Sequence, residues 1–186
     1  LANANGANYS TCSSSLSCSQ LQVVDTTSMT VVAMLKVPGV TGTPGQGLGN
    51  TVFYKDGIVY LGLAKTLAGP EFNIIDVGGG GMGGSPTSPV YLGGMNIGNG
   101  VNSIYVKDDY AYVASPNNEE LKIIDVSDPG APVQVGQFDA PNGGGNNGNG
   151  KSIAIVGNAL YFGRTLLSGN ELYVLNKTNP ETNLLV

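Results

Sequence analysis

One short pattern occurs four times along this chain, returning after about fifty residues each time. The segments are Leu21-Gln-Val-Val-Asp25, Phe72-Asn-Ile-Ile-Asp76, Leu121-Lys-Ile-Ile-Asp125 and Leu172-Tyr-Val-Leu-Asn176. The closing Asp or Asn recurs at intervals of 51, 49 and 51. A second pattern runs ahead of it in three units: Ile58-Val-Tyr-Leu61, Tyr110-Ala-Tyr-Val113 and Ala159-Leu-Tyr-Phe162. Its central tyrosines, Tyr60, Tyr112 and Tyr161, lie 52 and 49 apart, in the same register. Two motifs held in step define a structural repeat, in which each unit buries its apolar surface against copies of itself.

Each unit resolves into four strand-like runs. In the third, Ser103 to Val106 reads as strand one, Tyr110 to Ala114 as strand two, Leu121 to Val126 as strand three and Val133 to Phe138 as strand four. Asp108-Asp109, Asp56-Gly57 and Gly157-Asn158 suit tight hairpins because Asp, Asn and Gly tolerate positive φ. Ser127-Asp128-Pro129 and Thr178-Asn179-Pro180 follow strand three, and proline there ends the ladder. No window has a helical period. Four antiparallel strands per unit, apolar on both faces of the middle strands, predict an all-β chain: a β-propeller of four-stranded antiparallel blades.

The repeat divides residues 1–186 into units of approximately 1–46, 47–97, 98–147 and 148–186, within a single β-propeller. The chain opens at Leu1-Ala2-Asn3, where the alignment places the end of strand two, and Leu184 to Val186 align with Val133 to Val135 in strand four. That leaves about three and a half blades. The expectation is that the chain is part of a longer protein, or that a partner segment completes the first blade, since an open edge invites pairing.

The residues resemble a known family. The motif Leu121-Lys-Ile-Ile-Asp125, after Tyr-Ala-Tyr-Val-Ala and before Val-Ser-Asp-Pro, is similar to that of the LVIVD-repeat β-propellers, closest from Asp109 to Phe138. The first unit, Leu21 to Gly39, looks more like the YVTN-type repeats of microbial surface proteins. The fourth departs from the signature, with Asn176 where the others have Asp. The resemblance implies the propeller fold and a place on a cell surface.

Composition narrows the partners. With 8 basic against 13 acidic residues and a net charge of −5, the chain lacks the Lys/Arg clusters that nucleic-acid binding needs. No apolar run reaches the roughly 18 residues of a membrane helix, and no signal peptide is recognisable at the start. Low charge (11%) with 29 Gly and 10 Pro in short loops suits an extracellular all-β protein. Cys12 and Cys18 stand in a Ser-rich stretch. In an oxidising compartment they would form a small disulfide loop worth roughly 2 kcal/mol; the alternative is two thiols. Without histidine or further cysteines, a zinc site is disfavoured.

The candidate chemistry is sparse. Gly145 to Ser152 matches the phosphate-loop pattern G-x-x-x-x-G-K-[ST], but it continues into the β-branched run Ile153-Ala-Ile-Val156 instead of a helix. The repeat aligns Gly148-Asn149-Gly150 with Gly98-Asn99-Gly100, a loop between units. Asp25, Asp76, Asp125 and Asn176 are assigned as turn caps, accepting backbone N–H bonds two or three residues on. No catalytic residue is predicted: histidine is absent, and neither Asp108-Asp109 nor Glu119-Glu120 converges, because neighbours on an extended segment point opposite ways. No cofactor is predicted. Loop Asp, Asn and carbonyl oxygens are the donor types of a Ca²⁺ site, although no Asp-x-Asp-x-Asp spacing occurs. The aligned tyrosines are read as packing residues, and Asn8-Tyr-Ser and Asn176-Lys-Thr as chance matches to the glycosylation pattern. The expected function is a non-catalytic extracellular or cell-surface module that binds a protein or glycan or assembles with itself. The alternative is a propeller hydrolase using carboxylates and a metal.

Overall fold

The computed structural model describes residues 2, 19–41, 46–79, 81–116, 119–140, 148–166 and 170–176. Every regular element among them is a strand. In chain order these are β1 (Leu21–Asp25), β2 (Thr30–Leu35), β3 (Gly49–Lys55), β4 (Ile58–Leu63), β5 (Phe72–Asp76), β6 (Val90–Met95), β7 (Ser103–Lys107), β8 (Tyr110–Ala114), β9 (Leu121–Asp125), β10 (Val133–Phe138), β11 (Gly148–Val156), β12 (Ala159–Leu166) and β13 (Leu172–Asn176). They form four antiparallel sheets, each strand paired with its sequence neighbour: β1-β2, β3-β4-β5-β6, β7-β8-β9-β10 and β11-β12-β13.

The motif supplies the third strand of each unit. Strand three of the third unit ends at Asp125, one residue before the expected Val126, whose N–H bonds instead to the carbonyl of Asp109 in the hairpin turn. The first residues of the three hairpin turns have positive φ: Asp56 (49°), Asp108 (55°) and Gly157 (58°). In the first sheet, Ala2 bridges Leu21 as Ala114 pairs with Leu121 and Gly62 with Phe72. It thus occupies the last position of a second strand. Gly148 to Gly150, expected in a loop, belong to β11 instead. β12 is longer than β4 and β8, and its last residues, Arg164 to Leu166, give those three a pairing partner.

Strand four carries a bulge at the same place in three units. Val32, Leu92 and Val135 are each an extra residue opposite the step between the motif's third and fourth positions. A bulge raises local twist, so the fourth strand is twisted at the same point in these three units.

Packing occurs face to face between successive sheets, with β7 lying against β3 on one side and β11 on the other. Between the second and third sheets, Tyr60, Phe72 and Ile74 meet Ile104, Val106, Val113 and Ile124. Between the third and fourth, Tyr112, Leu121 and Ile123 meet Ile155, Leu160, Phe162 and Leu175. Leu21 and Leu35 of the first sheet cover Val59, Leu61 and Ile75 of the second. Strands β4 and β5 are buried on both faces as a result.

Polar side chains tie both ends of the inner strands to the next sheet. Asn50 donates from Nδ2 to the Val101 carbonyl at 2.7 Å, and Asn102, its counterpart one unit on, to the Gly150 carbonyl at 2.7 Å. Asn50 is the residue skipped between the Gly49 and Thr51 pairings, and this bulge frees it from the ladder. At the opposite end, Lys55 Nζ donates to the Asp108 carbonyl and Lys107 Nζ to the Gly157 carbonyl, both at 2.7 Å.

The part-buried amide matters more than the exposed ammonium, because water competes for the latter. Asn102→Ala is therefore expected to lower unfolding free energy by about 1–2 kcal/mol and Lys107→Met by under about 0.5 kcal/mol, as read from urea unfolding.

Tyr112 gives a second test. It is fully buried, its hydroxyl has no hydrogen-bond partner among the described residues, and burial, with smaller contributions from Asp108 and Tyr110, pushes its pKa up to about 12. The folded state therefore favours the neutral phenol, and the associated stability, complete below pH 10, declines as pH rises towards 12. Tyr112→Phe should be neutral or stabilising at pH 7 and should flatten that alkaline decline, measured by denaturation across pH 7–11.

Candidate functional site at the loop-bearing end

The hairpins joining strands one and two, and the turns after strand three, lie at one end of each sheet. At the other end are the connections from strand two to strand three and from each unit to the next. A column of acceptors organises this second end: Gln20, Glu71 and Glu120, each immediately ahead of strand three. Gln20 Oε1 accepts the Val37 N–H at 2.9 Å, Glu71 Oε2 the Ile97 N–H at 2.9 Å, and the Glu120 carboxylate the Ala140 N–H. Val37, Ile97 and Ala140 each stand two residues beyond strand four, so the side chain clips the outgoing chain to its own sheet. Glu71 also accepts from the Thr66 hydroxyl at 2.7 Å.

Backbone bonds repeat at the same place. The N–H of Leu63, Ser115 and Arg164 reaches the carbonyl of Glu71, Glu120 and Glu171, respectively. The carbonyls of Leu63 and Ser115 accept from Val101 and Gly150, near the start of the following unit.

In the third unit this column acquires a charge partner. Arg164 Nη1 on β12 donates to Glu120 Oε2 at 2.9 Å, both side chains being buried between the third and fourth sheets. The Arg164 guanidinium also lies 5.8 Å from the Tyr173 ring centroid, within cation–π range. Among the described residues, Glu120 Oε1 and Arg164 Nε and Nη2 have no hydrogen-bond partner. A side chain on Gly148 would collide with the Glu120 carboxylate, so glycine there makes room for the pair. Burial pushes the Glu120 carboxyl above its ordinary range; Arg164 and the Ala140 N–H oppose the rise, while Asp139 adds to it. Its neighbour Glu119 turns elsewhere, to Lys122 Nζ at 2.5 Å.

The residues singled out in the sequence fall as follows. The Asp25 carboxylate accepts from the N–H of Thr27 and Ser28, and Asp125 from that of Ser127; these bonds hold both acids below the usual carboxylate range. Asp76 is buried and accepts from Gly78, Met82 and Gly84. Asn176 closes β13 opposite Ala159, in the same register. Tyr60 and Tyr112 are buried between sheets, whereas Tyr161 is exposed on the outer face of the fourth. Lys151-Ser152 of the phosphate-loop pattern lie within β11. Cys12, Cys18 and Asn8 lie outside the described residues, as do Lys177 and the Thr178-Asn179-Pro180 segment. Among the described residues, no three acidic, His or Cys side chains gather as a metal site.

The acceptor column had escaped notice in the sequence. Its signal was present: Gln20, Glu71, Glu120 and Glu171 recur at the motif's own intervals, one residue ahead of it.

Arg164→Met should destabilise the fold by about 3–5 kcal/mol at neutral pH, because it strands a buried carboxylate. The loss should shrink on acidification, as Glu120, its pKa raised further without Arg164, takes up a proton. The double variant Glu120→Gln/Arg164→Met should recover part of the stability and lose the pH dependence. Chemical denaturation at pH 5 and pH 8 measures both.

No helix among the described residues is long and apolar enough to cross a membrane. No curated protein matches the chain. A family model described as LVIVD repeat matches residues 98–140, the stretch that runs from the inter-unit connection through β7, β8, β9 and β10 to Ala140, the residue clipped by Glu120. With the matching motif on its third strand, the third unit of this chain is thus similar to an LVIVD repeat.

Proposed function

We propose that this chain is a non-catalytic module of β-propeller type, extracellular or on a cell surface, that binds a protein or glycan partner or assembles with itself. The propeller reading rests on the meander order of every sheet and on successive sheets stacking through their inner strands. The observation that carries the functional reading is the use made of the polar groups at the loop-bearing end. Glu71 and Glu120 hold backbone N–H groups or a buried arginine, and Asn50 and Asn102 bind neighbouring carbonyls. Groups so engaged maintain architecture and have little capacity left for proton transfer. What this end offers to a partner is loop surface carried on a rigid scaffold, the usual setting for recognition. Its exposed Leu67 is one such contact point.

Electron microscopy of the native assembly tests this reading. Ordered contacts made through the loops, or a bound protein or glycan, are the expected result. An isolated particle that hydrolyses an ester or glycoside, and loses that activity on Glu120→Gln substitution, would overturn it.

A further inference from the structure

The connection from β6 to β7 runs from Asn96 to Asn102 and is held by side chains and backbone together. Asn96 Oδ1 accepts the Gly98 N–H at 2.7 Å, the Gly100 carbonyl accepts the Ser115 hydroxyl at 2.9 Å, and the Val101 N–H reaches the Leu63 carbonyl at 2.8 Å. Glycine is favoured at 100, where a Cβ would stand 3.1 Å from the Lys65 nitrogen. The same choice leaves the nitrogen of residue 100 without a flanking side chain. That nitrogen lies against its predecessor. The Gly100 N–H donates to Asn99 Oδ1 at 2.9 Å, so the amide carbon bonded to that oxygen is brought beside it. Asn99 Nδ2 donates in turn to the Pro116 carbonyl at 2.8 Å, tying the connection to the loop ahead of β9.

Among the described residues, asparagine precedes glycine at one other place, Asn149-Gly150. The surroundings there differ. Asn149 belongs to β11, opposite Thr165 of β12, and the Gly150 N–H is given to the Ser115 carbonyl of the third sheet at 3.1 Å. Its nitrogen can turn to the Asn149 side chain only by breaking that bond. At 100 the N–H is held by the side chain it would attack, so the two reacting groups are together beforehand.

We propose that Asn99-Gly100 is a site of spontaneous covalent modification, at which the chain converts its own amide to a succinimide and then to aspartate or isoaspartate. The Gly100 nitrogen attacks Asn99 Cγ and the new N–Cγ bond closes the ring. The Cγ–Nδ2 bond breaks, and the Gly100 proton leaves with Nδ2 as ammonia. Water then opens the ring, at Cγ to give aspartate or at the main-chain carbonyl of residue 99 to give isoaspartate, whose backbone runs through Cβ and Cγ. Either product removes the donor to Pro116 and sets a carboxylate against that carbonyl. Isoaspartate also lengthens the main chain next to Gly100, where packing against Lys65 leaves little room. The link between the second and third sheets therefore loosens as the chain ages, beside the Asn50 and Asn102 bonds that join these sheets to their neighbours.

The folded chain, incubated at pH 9, provides the test. Proteolysis with electron-transfer fragmentation resolves residue 99 from every other asparagine, and isoaspartate from aspartate. Residue 99 should convert about tenfold faster than residue 149, the ratio expected where an N–H bond to a neighbouring sheet must be surrendered at one site only. In concentrated urea the two rates should converge. Asn99→Asp should unfold at lower urea than the unmodified chain. Conversion at 99 no faster than at 149 in the folded chain would overturn the proposal, as would conversion at 99 that proceeds only in urea. An unchanged urea midpoint in Asn99→Asp would overturn the loosening.

Discussion

Each sheet has two apolar faces and can bury neither alone. Fully burying a Leu, Ile or Phe side chain is worth about 1.5–3 kcal/mol, and the contact between the second and third sheets removes Phe72, Ile74, Val113 and Ile124 from water together. The hydrogen bonds around its rim contribute about 1 kcal/mol each. Stacking of sheet upon sheet therefore provides the driving force, and the pleat, the bulges and the strand order serve to present faces of matching shape. The stability of any one sheet depends on whether it has a neighbour on both sides, as the contrast between β5 and β13 makes plain. All five residues of β5 are buried, whereas three of the five in β13 are exposed.

Apolar contact is poor at defining register, since Val and Ile columns slide past one another at little loss. The polar side chains at the strand ends supply what is missing. Asn50 and Asn102 act at one end of the inner strands and Lys55 and Lys107 at the other, each reaching a specific backbone carbonyl of the next sheet. In the fourth unit the corresponding positions hold Lys151 and Val156, so the repeated bonding pattern stops there. The buried Glu120–Arg164 pair adds a stricter constraint at the interface between the third and fourth sheets, because a misplaced sheet would leave both charges buried without each other.

The strands and their order were legible because they follow from local patterns: alternation, β-branched runs, and Asp, Asn or Gly at the hairpins. The turn-forming carboxylates were legible for the same reason, their partners lying only two or three residues away in Asp25 and Asp125. What escaped was set by neighbours far along the chain. Tyr161 shares its column with Tyr60 and Tyr112, yet it is exposed because no described sheet stands against it. Gly148 to Gly150 became strand because β12 happens to be long enough to pair with them. The acceptor column was hidden by mixed chemistry, since Gln20, Glu71 and Glu120 at the edge of a loop resemble any solvated surface until the units are superposed.

The Asp76 carboxylate, buried at the end of β5, gathers the N–H groups of Gly78, Met82 and Gly84 from the loop that follows. Such a loop is folded from within, around an anion, and owes little of its shape to the side chains it displays. Met82 accordingly contributes its N–H to the loop while its side chain is exposed. The consequence is a loop whose glycines are dictated by its trace: Gly78, Gly79, Gly81 and Gly83 take positive φ, and a Cβ on Gly84 would collide with the Asp76 carbonyl. The second sheet thus ends in a small-residue arch wound about one buried carboxylate, which holds the exposed Met82 side chain at a fixed height above the sheet.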